Sequence, residues 1–386
     1  MSEAKGMVIA MKIETRTIAL VGSNYEIGAE MGRKMASMPS LKKLQAAGLR
    51  ELDNAEVKKA AALFDRWCPG LNEELQGFVE AIGLPLAQVV YYGMTYLRPN
   101  CSQIAVLPSM TKSGRPLLAR NYEFSHEAED FTLVKTSVTG KYTHLGTSVL
   151  QFGRDDGFNE CGLAVTVTSC GFPVGPLQYM RKPKVVGLQF WAVVRTLLEN
   201  CRDVNEALAF MADMPIAYNL NLMLLDKAGN VALVETLDGQ RATKRIGAEG
   251  DEAYLCTTNH PVLPEMISYE PRAMRHSVQR YKWIRQRLDG ADDITSEDLK
   301  AMLLAKYPDG LCCYFFNEFF GTTKSMVIDP ACGTLELCWG GRRDNGWHKY
   351  NIQEPLNPEA KEIEISFDQF NPEIAVYIPL DTTVKS

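Results

Sequence analysis

Cys101 stands in Arg98-Pro99-Asn100-Cys101-Ser102-Gln103-Ile104-Ala105-Val106, and about twenty residues later the chain reads Gly114-Arg115-Pro116-Leu117-Leu118-Ala119-Arg120-Asn121-Tyr122-Glu123-Phe124. A thiol, a guanidinium and a carboxylate are the raw material of nucleophilic attack on a carbonyl. If the Asn100–Cys101 bond is cut, Cys101 carries both a thiol and a free α-amine, and that amine, with an ordinary pKa of roughly 8, serves as the thiol's own base. The cut needs only the same sulfur, which attacks the carbonyl of Asn100 to give a thioester that water then opens. Taken alone, the Pro-Asn-Cys tripeptide fits a buried structural thiol better. Only the residues downstream change that.

The elements that must position Cys101 are readable from periodicity. Residues 12–21 alternate as a half-buried strand, and Gly22-Ser23-Asn24-Tyr25-Glu26-Ile27-Gly28 opens a helical pattern through Met35. Helical periodicity continues over residues 41–98, punctuated by Pro69-Gly70 and Gly83-Leu84-Pro85. Leu71, Leu75, Phe78, Val79 and Ile82 mark one apolar helix face within it. After Cys101 the period becomes two, predicting strands over 104–107, 116–122, 131–138, 147–152 and 162–168. A helical block follows over 186–211, then a hairpin of 221–225 with 231–236, and a short strand at 254–259. Helices at 276–288 and 296–306 lead to two last strands, 323–328 and 334–339. Two antiparallel sheets enclosed by two helical layers satisfy this order.

Composition bounds the partners. The chain has 386 residues, 46% hydrophobic and 23% charged, enough for one large core or two modest ones. A formal charge of -6, with no run of five or six Lys or Arg, argues against a nucleic-acid or anionic-membrane surface. The first ten residues mix charges with a very short apolar run and lack the order of a secretory signal, and no stretch approaches the roughly 18 apolar residues of a spanning helix. A cytoplasmic protein is the expectation. The ten cysteines are scattered, with no C-x-x-C pair and no Cys/His spacing of a zinc site. With no Gly-rich phosphate loop either, neither a metal nor a cofactor is expected.

Five segments in one order carry a resemblance. They are Cys101-Ser102-Gln103-Ile104-Ala105, Ala119-Arg120-Asn121-Tyr122-Glu123-Phe124, Gly157-Phe158-Asn159-Glu160-Cys161-Gly162-Leu163-Ala164-Val165, Thr257-Thr258-Asn259-His260 and Ser277-Val278-Gln279-Arg280-Tyr281. Together they resemble the N-terminal nucleophile (Ntn) hydrolases, and within them the penicillin acyltransferase (acyl-CoA:6-aminopenicillanate acyltransferase) family, related to choloylglycine hydrolases. The resemblance implies an α+β fold, a four-layer αββα sandwich with an N-terminal helical pro-segment. Residues 1–100 would form the small, helical subunit and residues 101–386 the αββα domain, separated by cleavage between Asn100 and Cys101.

It also implies roles. Arg120 would pair with Cys101 and lower its thiol pKa. Glu123 stands where relatives have an aspartate that accepts from the α-amine; its side chain is one methylene longer, so orienting the amine needs backbone adjustment. Asn259 would supply a side-chain amide to the oxyanion, with a backbone N–H near Ser169 as the second donor. Arg280 would sit behind the nucleophile and hold the charge balance of the site. His260 is expected to line the pocket, Phe158 to line it or pack in the core, Asn159 to cap its turn, and Ser277 to hydrogen-bond locally.

The implied activity is that of an autoproteolytically activated cysteine amidase acting on a linear C–N amide through an acyl-enzyme. One alternative is an acyltransferase moving the acyl group from an amide or acyl-CoA thioester to an amine. Another is an uncleaved, non-catalytic binding protein on the same scaffold, and a third a papain-like Cys/His hydrolase using His260. The expected partner is a small acyl-amide or acyl-thioester, with no nucleic acid and no membrane; a homo-oligomer is left open.

Overall fold

The structure is a computed structural model, and it describes residues 9–36, 52–93, 100–175, 178 and 180–380. Arg98 and Pro99, and the parts of the expected helical run at 41–51 and 94–98, lie outside the described residues. The chain begins with strand β1 (Ile9–Gly22) and three helices, α1 (Asn24–Ala36), α2 (Asn54–Trp67) and α3 (Leu71–Ile82). Asp53 starts α2 with a capping box, its side chain accepting from Glu56 N while Glu56 reaches back. Seven strands follow: β2 (Asn100–Val106), β3 (Leu117–Phe124), β4 (Thr132–Val138), β5 (His144–Val149), β6 (Gly153–Arg154), β7 (Asp156–Asn159) and β8 (Leu163–Ser169). The predicted strand over 147–152 instead ends at Val149, because Leu150 and Gln151 take positive φ values of 51° and 70° and turn the chain into β6.

The helical block splits into α4 (Phe190–Asn200) and α5 (Val204–Phe210), since Asp203 caps a new helix by accepting from Glu206 N. Beyond it lie β9 (Leu220–Asp226), β10 (Val231–Leu237), β11 (Gln240–Ile246) and β12 (Tyr254–Thr257). The remainder is α6 (Pro264–Tyr269), β13 (Arg272–Met274), α7 (Arg275–Leu288), α8 (Ser296–Leu304), β14 (Tyr314–Phe315), β15 (Phe320–Asp329), β16 (Thr334–Trp339), β17 (His348–Asn351), β18 (Glu359–Phe367) and β19 (Tyr377–Pro379).

Two large sheets result. One runs β11-β10-β9-β8-β7-β5-β4-β1-β18 with β6 beside β5; the other runs β12-β2-β3-β15-β16-β17 with β14 beside β15. Alternate residues of single strands fall into different cores, which fixes the layering. Leu220, Leu222 and Leu224 face Ile27, Phe78 and Trp191 of the helices, whereas Met223 and Leu225 pack between the sheets with Ala105, Leu118 and Met326. On the second sheet Ile104, Val106 and Val327 face Ile284 and Leu288 of α7 and Leu299 and Leu303 of α8. Helix, sheet, sheet and helix therefore stack in that order, the α+β, four-layer αββα sandwich expected from the sequence.

Two expectations need correction. The first sheet is not wholly antiparallel: β1 pairs antiparallel with β18 but parallel with β4, a pairing made possible by the long stretch between Gly22 and Thr132. The N-terminal segment is accordingly not only helical, because β1 lies inside the main sheet between β4 and β18.

Helices α1 and α3 meet backbone to backbone. A Cβ on Gly28 would lie 1.8 Å from Glu74 O, and one on Gly77 would lie 2.2 Å from Tyr25 O. Gly28→Ala is therefore expected to cost about 3 kcal/mol, the upper end for overpacking, since backbone must move on both sides. A urea midpoint unchanged from the parent chain would contradict this. The same helices are tied to the later chain by a buried ion pair, Arg195 Nη1 and Nη2 donating to Glu74 Oε1 and Oε2 at 2.8 and 2.5 Å.

Candidate active site

The second sheet places Cys101 near the start of its strand, fully buried, directly across from Tyr122 on β3. Alternation then sends Cys101, Gln103, Arg120 and Tyr122 to the face between the sheets, and Asn100 and Glu123 to the face under α7. Arg120 Nη2 lies 3.6 Å from Cys101 Sγ. Its guanidinium is held from behind by Val167 O at 2.8 Å, by Asp156 Oδ2 at 2.7 Å and by Asp155 O. Burial pushes the Cys101 thiol up to about 12, and Arg120 opposes that rise.

Beyond β12 the chain leaves the sheet, and Asn259 occupies an irregular segment that other elements hold. Asn221 Nδ2, from β9, donates to the carbonyls of Thr258 and His260 at 3.0 and 3.2 Å. The carboxylate of Glu235, from β10, accepts from Val262 N and Leu263 N at 2.7 and 3.1 Å. Ser277 Oγ, from α7, accepts from Asn259 N at 2.7 Å. With its backbone fixed on three sides, Asn259 reaches Cys101: its Oδ1 accepts from Cys101 N at 3.1 Å, and its Nδ2 donates to Ser169 Oγ at 3.0 Å.

Arg280 closes the arrangement. On α7, one turn from Ser277, it is 1% exposed. Its Nη2 donates to Asn259 Oδ1 at 2.6 Å and its Nη1 to Cys101 O at 2.8 Å. The same Nη1 lies 3.5 Å from Glu123 Oε2, whose other oxygen accepts from Thr322 Oγ1 at 3.2 Å. Glu123 thus reaches Cys101 through Arg280, whereas the nitrogen of Cys101 is bonded to Asn259. The reason is the strand alternation, which points Glu123 away from the sulfur.

Burial raises the Glu123 carboxyl from its usual 4.5 to about 7, with Arg280 opposing the rise. A carboxyl that holds its proton more tightly folded than unfolded contributes stability that is full below about 4.5 and lost as pH rises through 7. Glu123→Gln cannot ionise and should reduce the fall in stability between pH 5 and 8 by about 2 kcal/mol. Urea midpoints at the two pH values measure it; parallel curves for the variant and parent would contradict the assignment.

The sequence-predicted residues Cys101, Arg120, Glu123, Asn259, Arg280 and Ser169 are therefore brought together. His260 is buried, with Nδ1 turned to Ser277 Oγ at 2.7 Å and Thr258 Oγ1 at 3.1 Å, and burial lowers its pKa to about 3. It anchors its own loop. Phe158 is fully buried in the core between the sheets, which is packing in place of pocket lining. Asn159 caps its turn as expected, its Oδ1 accepting from Cys161 N and Leu163 N at 3.1 and 3.0 Å.

Ser277, expected to bond locally, instead bonds across to Asn259 and His260. Sequence reasoning did not single out Asn221 and Glu235, nor Asp155, Asp156 and Lys324 behind Arg120; the adjacent acidic pair before Gly157 was the one available signal. Among the described residues no group of three or more His, Cys, Asp or Glu is placed to hold a metal, and no helix is long and apolar enough to cross a membrane.

Comparison with known proteins gives the family. Among curated protein sequences none matches. Solved structures with weak likeness include penicillin V acylase from Agrobacterium tumefaciens, 17% identical over 62% of this chain and 83% of that one, with a TM-score of 0.39. A variant of conjugated bile acid hydrolase from Clostridium perfringens is 14% identical over 70% of this chain and 100% of that one, with a TM-score of 0.44. The family model described as acyl-coenzyme A:6-aminopenicillanic acid acyl-transferase matches residues 109–344, a span that starts just after Cys101 and takes in Arg120, Glu123, Asn259 and Arg280. With well over half of its length matched, the chain belongs to the acyl-coenzyme A:6-aminopenicillanic acid acyl-transferase family.

Proposed function

We propose that this protein is a cysteine-nucleophile amidase that frees its own catalytic residue by cutting the Asn100–Cys101 bond. The family is one of enzymes acting on acyl groups, and amide hydrolysis or acyl transfer is its general chemistry. In the maturation step Sγ attacks the carbonyl carbon of Asn100, the C–N bond to Cys101 breaks, and the acyl group passes to sulfur. Water then hydrolyses the thioester, leaving a carboxylate on Asn100 and a thiol and α-amine on Cys101. In turnover the α-amine takes the thiol proton as Sγ attacks the substrate carbonyl. The oxyanion forms beside the Asn259 amide, and the α-ammonium returns its proton to the departing amine. Water releases the acid from the acyl-enzyme.

The observation that carries this reading is the convergence on one residue. Arg120 meets the sulfur of Cys101, Asn259 meets its nitrogen, and Arg280 meets its carbonyl oxygen. A structural thiol has no need of polar side chains at all three positions, two of them cationic. The turn of His260 towards Ser277 favours the α-amine over a Cys/His pair as the base. Acyl transfer in place of hydrolysis requires only that an amine reach the acyl-enzyme before water does.

The test is a panel of chromogenic acyl-amides and acyl-thioesters, with and without an added amine, followed by peptide mass analysis of quenched enzyme. The expected result is turnover with the acyl group trapped on Cys101. Turnover with no acyl adduct there, or with the adduct on another cysteine, would refute the reading.

A further inference from the structure

Behind Arg120 lies a run of buried charges that the proposed reaction does not use. Asp156, at the start of β7, accepts from Arg120 Nη1 at 2.7 Å on Oδ2, and from Thr147 N and Oγ1 at 3.0 and 2.7 Å on Oδ1. Asp155 gives its carbonyl to the same guanidinium and its Oδ2 to Lys324 Nζ at 2.9 Å. Lys324, on β15, also meets Glu129 Oε2 at 3.2 Å and sits 4.3 Å from the centre of the Tyr122 ring, whose π-face the Arg120 guanidinium shares at 4.7 Å. Arg120, Asp155, Asp156 and Lys324 are at most 1% exposed. Charges are not buried in this number without cost, and each carboxylate here is matched to a cation by direct contact.

We propose that Asp156 is a positioning residue that aims Arg120 at the Cys101 sulfur and, balanced by Lys324 through Asp155, sets how readily that sulfur gives up its proton. The inference rests on the reading of Cys101 as the nucleophile. A guanidinium bonded at one nitrogen to a carboxylate and at the other to a thiol divides its field between them. Taking away the carboxylate's charge leaves more of the field for a thiolate; taking away the lysine's charge leaves less.

The groups facing Cys101 are few enough to make the sign unambiguous. From β3 they are Arg120 and Tyr122, with Glu123 acting from the opposite face of the strand; from α7, Arg280; from the β6–β7 turn, Asp155; from the start of β7, Asp156; from β15, Lys324; and from the loop after β3, Glu129. From the loop after β12 come Asn259, uncharged, and His260, which burial keeps neutral. Asp156 and Lys324 reach the sulfur through Arg120 and Asp155, so neither is asked to touch substrate.

The test compares Asp156→Asn with Lys324→Met, both close in shape to the original side chains. The pH profile of Cys101 alkylation by iodoacetamide is followed by peptide mass analysis, on the purified protein whether or not it has been cut. The expected result is a displacement of about one pH unit to lower pH for Asp156→Asn and about one unit to higher pH for Lys324→Met. Damage to packing alone would move both profiles the same way, or neither, and either outcome overturns the proposal. An Asp156→Asn variant that does not fold is replaced by Asp155→Asn, expected to shift the profile to lower pH, and a Lys324→Met variant that does not fold by Lys324→Gln, expected to shift it to higher pH. Intact mass taken alongside reports the cut separately, so an uncut chain with oppositely displaced profiles would refute the proposed maturation while supporting the positioning role.

Discussion

Cys101→Ala is expected to accumulate as one uncut chain with no measurable turnover. The same sulfur is assigned two tasks, opening the bond to Asn100 and carrying the acyl group, and alanine can do neither. A fall in kcat/KM of about four orders of magnitude or more follows from removing a nucleophile that acts in a coupled unit. The substitution should leave the fold intact, because Cys101 sits with Tyr122 and Phe124 in a small apolar cluster and loses only one buried sulfur. Thermal unfolding checks that point. A variant that is both folded and cut, or one that retains more than a hundredth of the activity, would show that another residue does the chemistry.

The second large effect is at Arg280. Its two terminal nitrogens serve Asn259 Oδ1, the Cys101 carbonyl and Glu123 at 2.6, 2.8 and 3.5 Å. Arg280→Ala leaves the Glu123 carboxyl buried without its cation, a loss of about 3 to 5 kcal/mol by analogy with broken buried pairs. That approaches the whole stability margin of many domains. Arg280→Lys is the more informative change, since it keeps the charge but offers a compact ammonium in place of a planar fork. It should lower kcat/KM by about a hundredfold through misplacement of Asn259, with a smaller loss of stability. Activity of Arg280→Lys within a factor of three of the parent enzyme would mean that charge alone matters there.

The layers were legible because the period of the pattern changes where the chain changes layer, as at Cys101, and because Leu71 to Ile82 marks one helix face without ambiguity. Pairing between distant strands was not. Nothing local in Ile9 to Gly22 says that it will lie between β4 and β18, since strand partners are chosen by burial across the whole sheet. The strand over 12–21 could therefore be read from the sequence, but not its place inside the main sheet.

The site divides in the same way. Cys101, Arg120, Asn259 and Arg280 could be picked out because each lies in a short recognisable segment. Glu123 was found as a residue, yet its partner was not, because alternation along β3 turns it towards Arg280. Lys324 was invisible: a lysine in a strand reads as solvent-facing until both faces of that strand are known to be covered. Asp156 and Asp155 sat one and two residues outside a segment whose conspicuous residue, Asn159, is a cap. Ser277 shows the limit most plainly. Its hydroxyl would be taken for a helix-start cap, and only the packing of α7 against the Asn259 loop reveals what it holds.

N-terminal sequencing of the purified, active protein bears most directly on the central claim. Two chains are expected, one ending at Asn100 and the other beginning with a free α-amino group on Cys101. Full activity in a preparation whose nitrogen at position 101 is still in a peptide bond would contradict the mechanism, because the base that it assigns would not exist.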